Sequence, residues 1–252
     1  MIDRTTPSQR LAGRNCGTQT WQPLYFGHWQ VPADWLQSHL PEGLDIDLHE
    51  GRAYLGLVPF QMKGIRPHWL PKRLPQNFRE SNLRTYCLHE GRSGVYFFSL
   101  DAHSRLAVWF ARRGWSMPDY YARMQHVQNG TSLTYLSRRA THQPDHGADH
   151  TGDRYPGHTI SFRPGRELGP SVAGTLEHFL FERHLLFTRH KTEIPAGQVH
   201  HPAYHAYTAD LDQFQQQLTD AAGLGDFSRP PDLSRFSPRV DVEIFPLRPS
   251  PN

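Results

Sequence analysis

Four residues at alternate positions, Glu80, Asn82, Arg84 and Tyr86, carry the clearest chemistry in the chain. They fall in the run NFRESNLRTYCLHE, which reads as a β-strand. Side chains two apart on a strand share a face, so a carboxylate, an amide, a guanidinium and a phenol form one stripe. Turned inward, the stripe is the polar wall of a pocket. Arg84 would then hold an anion, and Glu80 would act as general acid or base. The alternative is a structural Glu80–Arg84 ion pair, filling an interior or decorating the surface.

The other candidates are weaker. His142, His146 and His150 are four apart, but Pro144 and Gly147 break the helix that would align them. His200 and His201 with His205 follow an ordered segment, yet no cysteine or close carboxylate completes a ligand set, so no metal site is expected. Ser99, Asp101 and His103 sit on one strand end and cannot form a relay, which needs residues from separate segments. Cys87 has no helix start or basic partner and reads as a buried, inert thiol. Arg183 lies on the apolar face of a helical pattern. A buried arginine needs a partner, either an internal ion pair, the preferred reading, or a bound ligand.

Strands must position these residues. The order read from the sequence begins with a flexible tail at 1–19, a strand over Trp21–Val31 and a short helix opened by Pro32. A hairpin of Leu44–Leu48 and Ala53–Phe60 and a long loop over Lys63–Pro75 follow. Three strands occupy Asn77–Met124. Two more flank Asn129-Gly130, a strong hairpin signal. After a solvated loop at 141–158, His158–Arg163 is a strand. Helical spacing predicts a helix over Gly174–Phe187 with Thr175 as N-cap. Val199–Tyr207 reads as extended. A second helix, capped by Thr208, carries Leu211, Phe214, Leu218 and Ala221, and Arg235–Leu247 closes the chain as a strand. Neither strand–helix–strand alternation nor a GxGxxG or P-loop motif is present. The expectation is a mainly β fold with a few helices (α+β), a closed antiparallel β-barrel formed by one domain over 20–248.

Bulk composition removes several classes. Twenty-seven basic and 24 acidic residues are interspersed, giving +3 and no nucleic-acid footprint. No apolar run is long enough to cross a bilayer. Two cysteines, Cys16 and Cys87, make no disulfide framework, and a cytoplasmic setting is expected. Only Lys63, Lys72 and Lys191 are lysines. The residues call for no cofactor and name no macromolecular partner.

Several motifs in order resemble a known family: E-S-N-L-R-T-Y (Glu80–Tyr86), G-V-Y-F-F-S-L-D-A (Gly94–Ala102), A-V-W-F-A-R (Ala107–Arg112), M-P-D-Y-Y-A-R-M (Met117–Met124), G-T-L-E-H-F-L-F-E-R (Gly174–Arg183), V-H-H-P (Val199–Pro202) and R-F-S-P-R-V-D-V (Arg235–Val242). Together they are similar to the YqjF-like family of uncharacterised bacterial proteins, grouped with acetoacetate decarboxylase-like proteins. The resemblance implies a cone-like closed barrel with a central pocket. In the decarboxylases a lysine pair follows W-G-Y-P, and one lysine forms a Schiff base while its neighbour lowers its pKa. The similar run here is Trp115-Ser116-Met117-Pro118, followed by Asp119 and Tyr120, neither of which can form a Schiff base. The resemblance thus implies a pocket for a small carbonyl or carboxylate compound without that mechanism. Lysine-independent, lyase-type catalysis would use Glu80 as acid or base, Arg84 as anion holder and Asp119 or Tyr120 as proton donor. Asn82, Tyr86, Arg112 and Arg183 would line the ligand. The alternatives are a non-catalytic small-molecule binder on the same pocket and an interaction protein with a packed interior.

Overall fold

The computed structural model describes residues 2, 4, 6–67, 76–104, 119–140, 155–189 and 193–246. Among these, one 13-stranded sheet carries the architecture. Its strands are β1 (Gly17–Val31), β2 (Asp45–Ile46), β3 (Ala53–Pro67), β4 (Gln76–His89), β5 (Arg92–Ala102), β6 (Asp119–Asn129), β7 (Ser132–Arg139), β8 (Gly157–Pro170), β9 (Leu185–Phe187), β10 (Ala196–His200), β11 (His205–Gln216), β12 (Leu233–Ser237) and β13 (Val240–Ile244). Three short helices, α1 (Ala33–Gln37), α2 (Leu176–Phe181) and α3 (Leu218–Ala221), pack against it. No helix among the described residues is long and apolar enough to cross a membrane.

β1 pairs antiparallel with β3, β12 and β13. Followed from β1 through β3, β4, β5, β6, β7, β8, β11 and β12, the ladder returns to β1. A second round leaves β5 through β9, β10 and β13 and also returns to β1. The sheet is mostly antiparallel, with β5 parallel to both β6 and β9. The shared strands β1, β3, β4 and β5 therefore bury both faces. Leu24, Phe26, Tyr54, Val58 and Tyr86 enter one core with α2. Their sequence neighbours Tyr25, Leu55 and Leu57, with Leu83 on the opposite face of β4 from Tyr86, enter a second core with Tyr135, Ile160 and Phe162. Period-two side-chain direction makes one strand serve both cores.

Several elements depart from the sequence reading. β2 pairs with Leu88 and Cys87 of β4 rather than forming a hairpin with β3; only His49 and Arg52 bridge there. β3 runs on through Lys63 to Pro67, inside the expected loop; residues 68–75 lie outside the described set, as do 105–118 and 141–154. The predicted helix over 174–187 stops at Phe181. Thr175 caps it as expected, accepting from His178 N–H at 3.3 Å, but Glu182 leaves the helical region at ψ 66°. Leu185–Phe187 then pairs with β10 and β5. The second predicted helix is the long strand β11, leaving only Leu218–Ala221 helical. Pairing along β8 on one side, and with β12 on the other, outweighs local helical spacing there. The closing strand is divided into β12 and β13 around Pro238-Arg239. β1 starts at Gly17, within the expected tail, and Arg10 upstream binds Glu243 at 2.6 Å. The β6–β7 hairpin forms around Asn129-Gly130 as expected, with Gly130 at φ 60°.

Candidate functional site

On β4, Asn82, Arg84 and Tyr86 turn toward the core packed against α2, while Ser81 and Leu83 turn toward the other. A bulge in β5 tunes the facing wall. Leu83 pairs with Ser99 but Arg84 with Phe97, so Phe98 is extra. That added residue lets both Phe97 and Leu100 join the core on the Arg84 side. Glu80 is half-buried further along the same stripe.

Arg84 is 9% exposed. Its Nη2 donates to the Leu180 carbonyl at 3.1 Å and lies 3.5 Å from the Tyr86 hydroxyl. Tyr86 donates to the same carbonyl at 2.9 Å, and its oxygen is 2.6 Å from His28 Nε2. The Arg84 guanidinium sits 5.7 Å from the ring centres of both Phe26 and Tyr86. No carboxylate pairs with it among the described residues, so the alternative reading, a structural Glu80–Arg84 ion pair, is not met. Burial, with the charges of Arg84 and Arg235, pushes His28 well below its ordinary range and keeps it neutral. Burial raises the Tyr86 phenol. Gly56 makes room for His28: a Cβ there would meet the imidazole at 3.0 Å.

Arg84 and Asn82 line a small cavity with Trp21, Leu24, Phe26 and Arg183 among its walls. Its free space for a water-sized sphere is about 20 Å³. Arg183 is held by Asp47, with Nη1 at 2.7 Å from Oδ2, and donates Nε–H to the Phe179 carbonyl at 2.6 Å. Asp47 also pairs with Arg4. The preferred internal ion pair therefore forms, yet Arg183 also reaches the cavity. Four lining residues each keep one buried polar atom without a hydrogen-bond partner: Trp21 Nε1, Asn82 Oδ1, Arg84 Nε and Arg183 Nη2.

The structure does not gather every expected residue here. Tyr120 is not among the cavity walls; its ring lies 3.8 Å from the Arg139 guanidinium carbon. Arg139 binds Asp101 through Nε and Nη2 at 2.9 to 3.1 Å, and both side chains are buried. Burial pushes the Asp101 carboxyl up and Arg139 opposes the shift. Asp119 begins β6 opposite Leu100; its side chain and all of Arg112 lie outside the described residues. Asp101 is thus engaged by Arg139, and His103 Nδ1 receives the Met124 N–H at 3.2 Å, so Ser99, Asp101 and His103 form no relay. Cys87 is fully buried and its thiol is raised by burial.

A second cluster was half visible in the sequence. His201 joins not His205, which pairs with Glu167 at the surface, but Glu182 and His184. Glu182 Oε2 lies 3.8 Å from His184 Nε2 and 3.8 Å from His201 Nδ1. Burial and the neighbouring His184 push His201 down to about 4. The missing carboxylate of the His200-His201 motif is therefore Glu182, hidden because 174–187 carries a helical pattern.

The fold is of the acetoacetate decarboxylase-like class. It is similar to the enduracididine biosynthesis enzyme MppR complexed with pyruvate, with TM-score 0.62 and 14% identity over 94% of this chain and 91% of that one. An acetoacetate decarboxylase-like enzyme from Sphingomonas wittichii RW1 gives 0.59 and 13% over 99% and 98%. In sequence, residues 18–241 match the family DUF2071, described as an uncharacterized conserved protein. The uncharacterized protein YqjF of Bacillus subtilis (strain 168) is 32% identical over 232 residues, 91% of this chain and 90% of that protein. The chain belongs to this YqjF-like family.

Proposed function

We propose that the chain is a closed β-barrel protein that binds a small carboxylate bearing a second polar group, such as an oxo or hydroxy acid, in the Arg84 cavity. The observation that carries this reading is a buried guanidinium without a carboxylate partner among the described residues, beside three further orphan polar atoms. Burying a charge unpaired costs several kcal/mol, and an incoming anion removes that cost. The orphans also define the ligand's chemistry. Trp21 Nε1, Arg84 Nε and Arg183 Nη2 are donors, and Asn82 Oδ1 is an acceptor. One water accepts two hydrogen bonds and cannot serve three donors, whereas a carboxylate offers about four lone-pair sites. A hydroxyl on the same molecule supplies the proton Asn82 lacks; for an oxo acid the Asn82 amide turns over. Free space of about 20 Å³ admits a water but no three-carbon acid, so binding widens the cavity. The returning ladder and the pyruvate complex of a structural neighbour support the barrel and the ligand class.

Half-buried Glu80 on the same stripe favours a second reading, lyase-type catalysis in which Glu80 moves the proton, Arg84 holds the carboxylate and Asp119 donates. Neither reading uses Schiff-base chemistry, because the resemblance puts Asp119 and Tyr120 where the decarboxylases keep lysines. Calorimetric titration with pyruvate and lactate tests the proposal, alongside native mass spectrometry of protein taken from cells. Stoichiometric binding that is lost in Arg84→Gln supports it. Absence of binding to both acids, with no co-purified small molecule, sinks it. Turnover abolished by Glu80→Gln separates enzyme from binder. Borohydride in the presence of pyruvate should trap no adduct.

A further inference from the structure

The Glu182, His184 and His201 cluster is held by Ser171 and by the 199–204 stretch. Glu182 follows α2 and is fixed through one oxygen only: Oε1 accepts from the Ser171 hydroxyl at 2.5 Å and from Tyr204 N–H at 2.9 Å. Oε2 is left facing the histidines. His184 Nδ1 donates to the Val199 carbonyl at 3.2 Å, which leaves the lone pair on Nε2. Oε2 and Nε2 thus face each other across 3.8 Å. His201 donates Nδ1–H to the Pro202 carbonyl at 3.0 Å, and its Nε2 is buried without any hydrogen-bond partner. The two imidazoles stack 4.2 Å apart at 19°. One ligand atom from each residue lies within 4.8 Å of the other two.

We propose that Glu182, His184 and His201 bind a divalent transition-metal ion of the zinc class. Two imidazole nitrogens and one carboxylate oxygen suit such an ion, with bonds of about 2.0–2.2 Å. At a tetrahedral angle these bonds place ligand atoms about 3.4 Å apart. The 3.8 Å between Glu182 Oε2 and His184 Nε2 needs a contraction of only about 0.4 Å, and His201, whose Nδ1 is engaged by Pro202, turns from its stacked position to bring in Nε2. The backbone carbonyls of Val199 and Pro202 act as the outer partners that metal-bound histidines commonly have, fixing each ring. Three protein ligands leave the fourth position to water. The rival arrangement is a proton in place of the metal, an imidazolium held loosely by Glu182.

The test uses the full-length, untagged chain, stripped with a chelator and titrated with Zn²⁺ by calorimetry and with Co²⁺ by visible absorption. A background of His142→Ala, His146→Ala and His150→Ala removes the histidine-rich stretch from the count. One equivalent per chain is expected, with a cobalt spectrum of tetrahedral type and a rise in thermal midpoint. His201→Ala and Glu182→Gln should each weaken binding at least tenfold, while His205→Ala leaves it unchanged. X-ray absorption of the zinc-loaded wild type covers the case of a variant that fails to fold: two imidazoles and no sulfur are expected in the zinc shell. Failure of the stripped protein to bind one equivalent overturns the site, as does sulfur ligation or undiminished binding in a folded His201→Ala.

Discussion

Replacing Arg84 by methionine should stabilise the protein while abolishing its binding of small acids. The guanidinium is buried, and its hydrogen bonds run to the Leu180 carbonyl and the Tyr86 hydroxyl. Removing it forfeits a charged hydrogen bond worth about 1.5–3 kcal/mol, but strands nothing, because Tyr86 still donates to Leu180. The attraction to the Phe26 and Tyr86 rings, about 1–2 kcal/mol, is partly replaced by thioether packing against the same rings. Against these losses stands the desolvation of a cation without a carboxylate, several kcal/mol. The net expectation is a gain of about 1–3 kcal/mol, read as a rise in urea midpoint of roughly 0.5–1 M at unchanged slope. Arg183→Met is the internal contrast. It leaves fully buried Asp47 with only the half-exposed Arg4 as partner, and should cost about 3 kcal/mol. The same substitution at two cavity arginines thus has opposite signs. Destabilisation of Arg84→Met by more than about 1 kcal/mol would mean that the fold needs this charge, and the ligand argument would lose its foundation.

Stability should fall in mild acid through buried neutral histidines. Burial lowers His158, beside the Ser81 hydroxyl at 2.7 Å, to about 3. Between about 3 and the ordinary 6.5 the unfolded chain binds a proton that the folded chain refuses, so stability is complete above pH 6.5 and drops as pH falls toward 3. Between pH 7 and 5 this residue alone removes about 2 kcal/mol, and urea melts of His158→Gln should lose that share of the slope. Asp101→Ala should cost about 3–5 kcal/mol in the same assay, because it takes the carboxylate away from buried Arg139, whereas Asp101→Leu with Arg139→Met should recover most of the loss.

Much of the strand order was legible because alternation survives in β1, β4, β6 and β7, and because Asn129-Gly130 marks its hairpin. The polar stripe was legible too: Asn82, Arg84 and Tyr86 share a face in the sequence and in the fold. Its partners were not. Asp47 meets Arg183 from 136 positions away, and Asp101 meets Arg139 across strands that are distant in the chain. Those pairings are set by the ladder, which the sequence states only through patterns local to each strand. The buried Asp101–Arg139 pair also explains why a serine, an aspartate and a histidine at alternate positions were misleading ingredients.

The most instructive misreading is the tripeptide Glu182-Arg183-His184. As part of a helix, its side chains would fan out at about 100° from one another, and Arg183 would join the apolar stripe of Leu176, Phe179 and Leu180. The helix instead ends at Phe181, and the chain goes on to β9. Glu182 and His184 then meet His201, while Arg183 between them reaches Asp47 and the Arg84 cavity. Ending the helix at Phe181 instead of Phe187 thus divides three consecutive residues between two polar clusters. A substitution that prolonged α2 would disturb both polar clusters together, because each depends on the helix ending at Phe181.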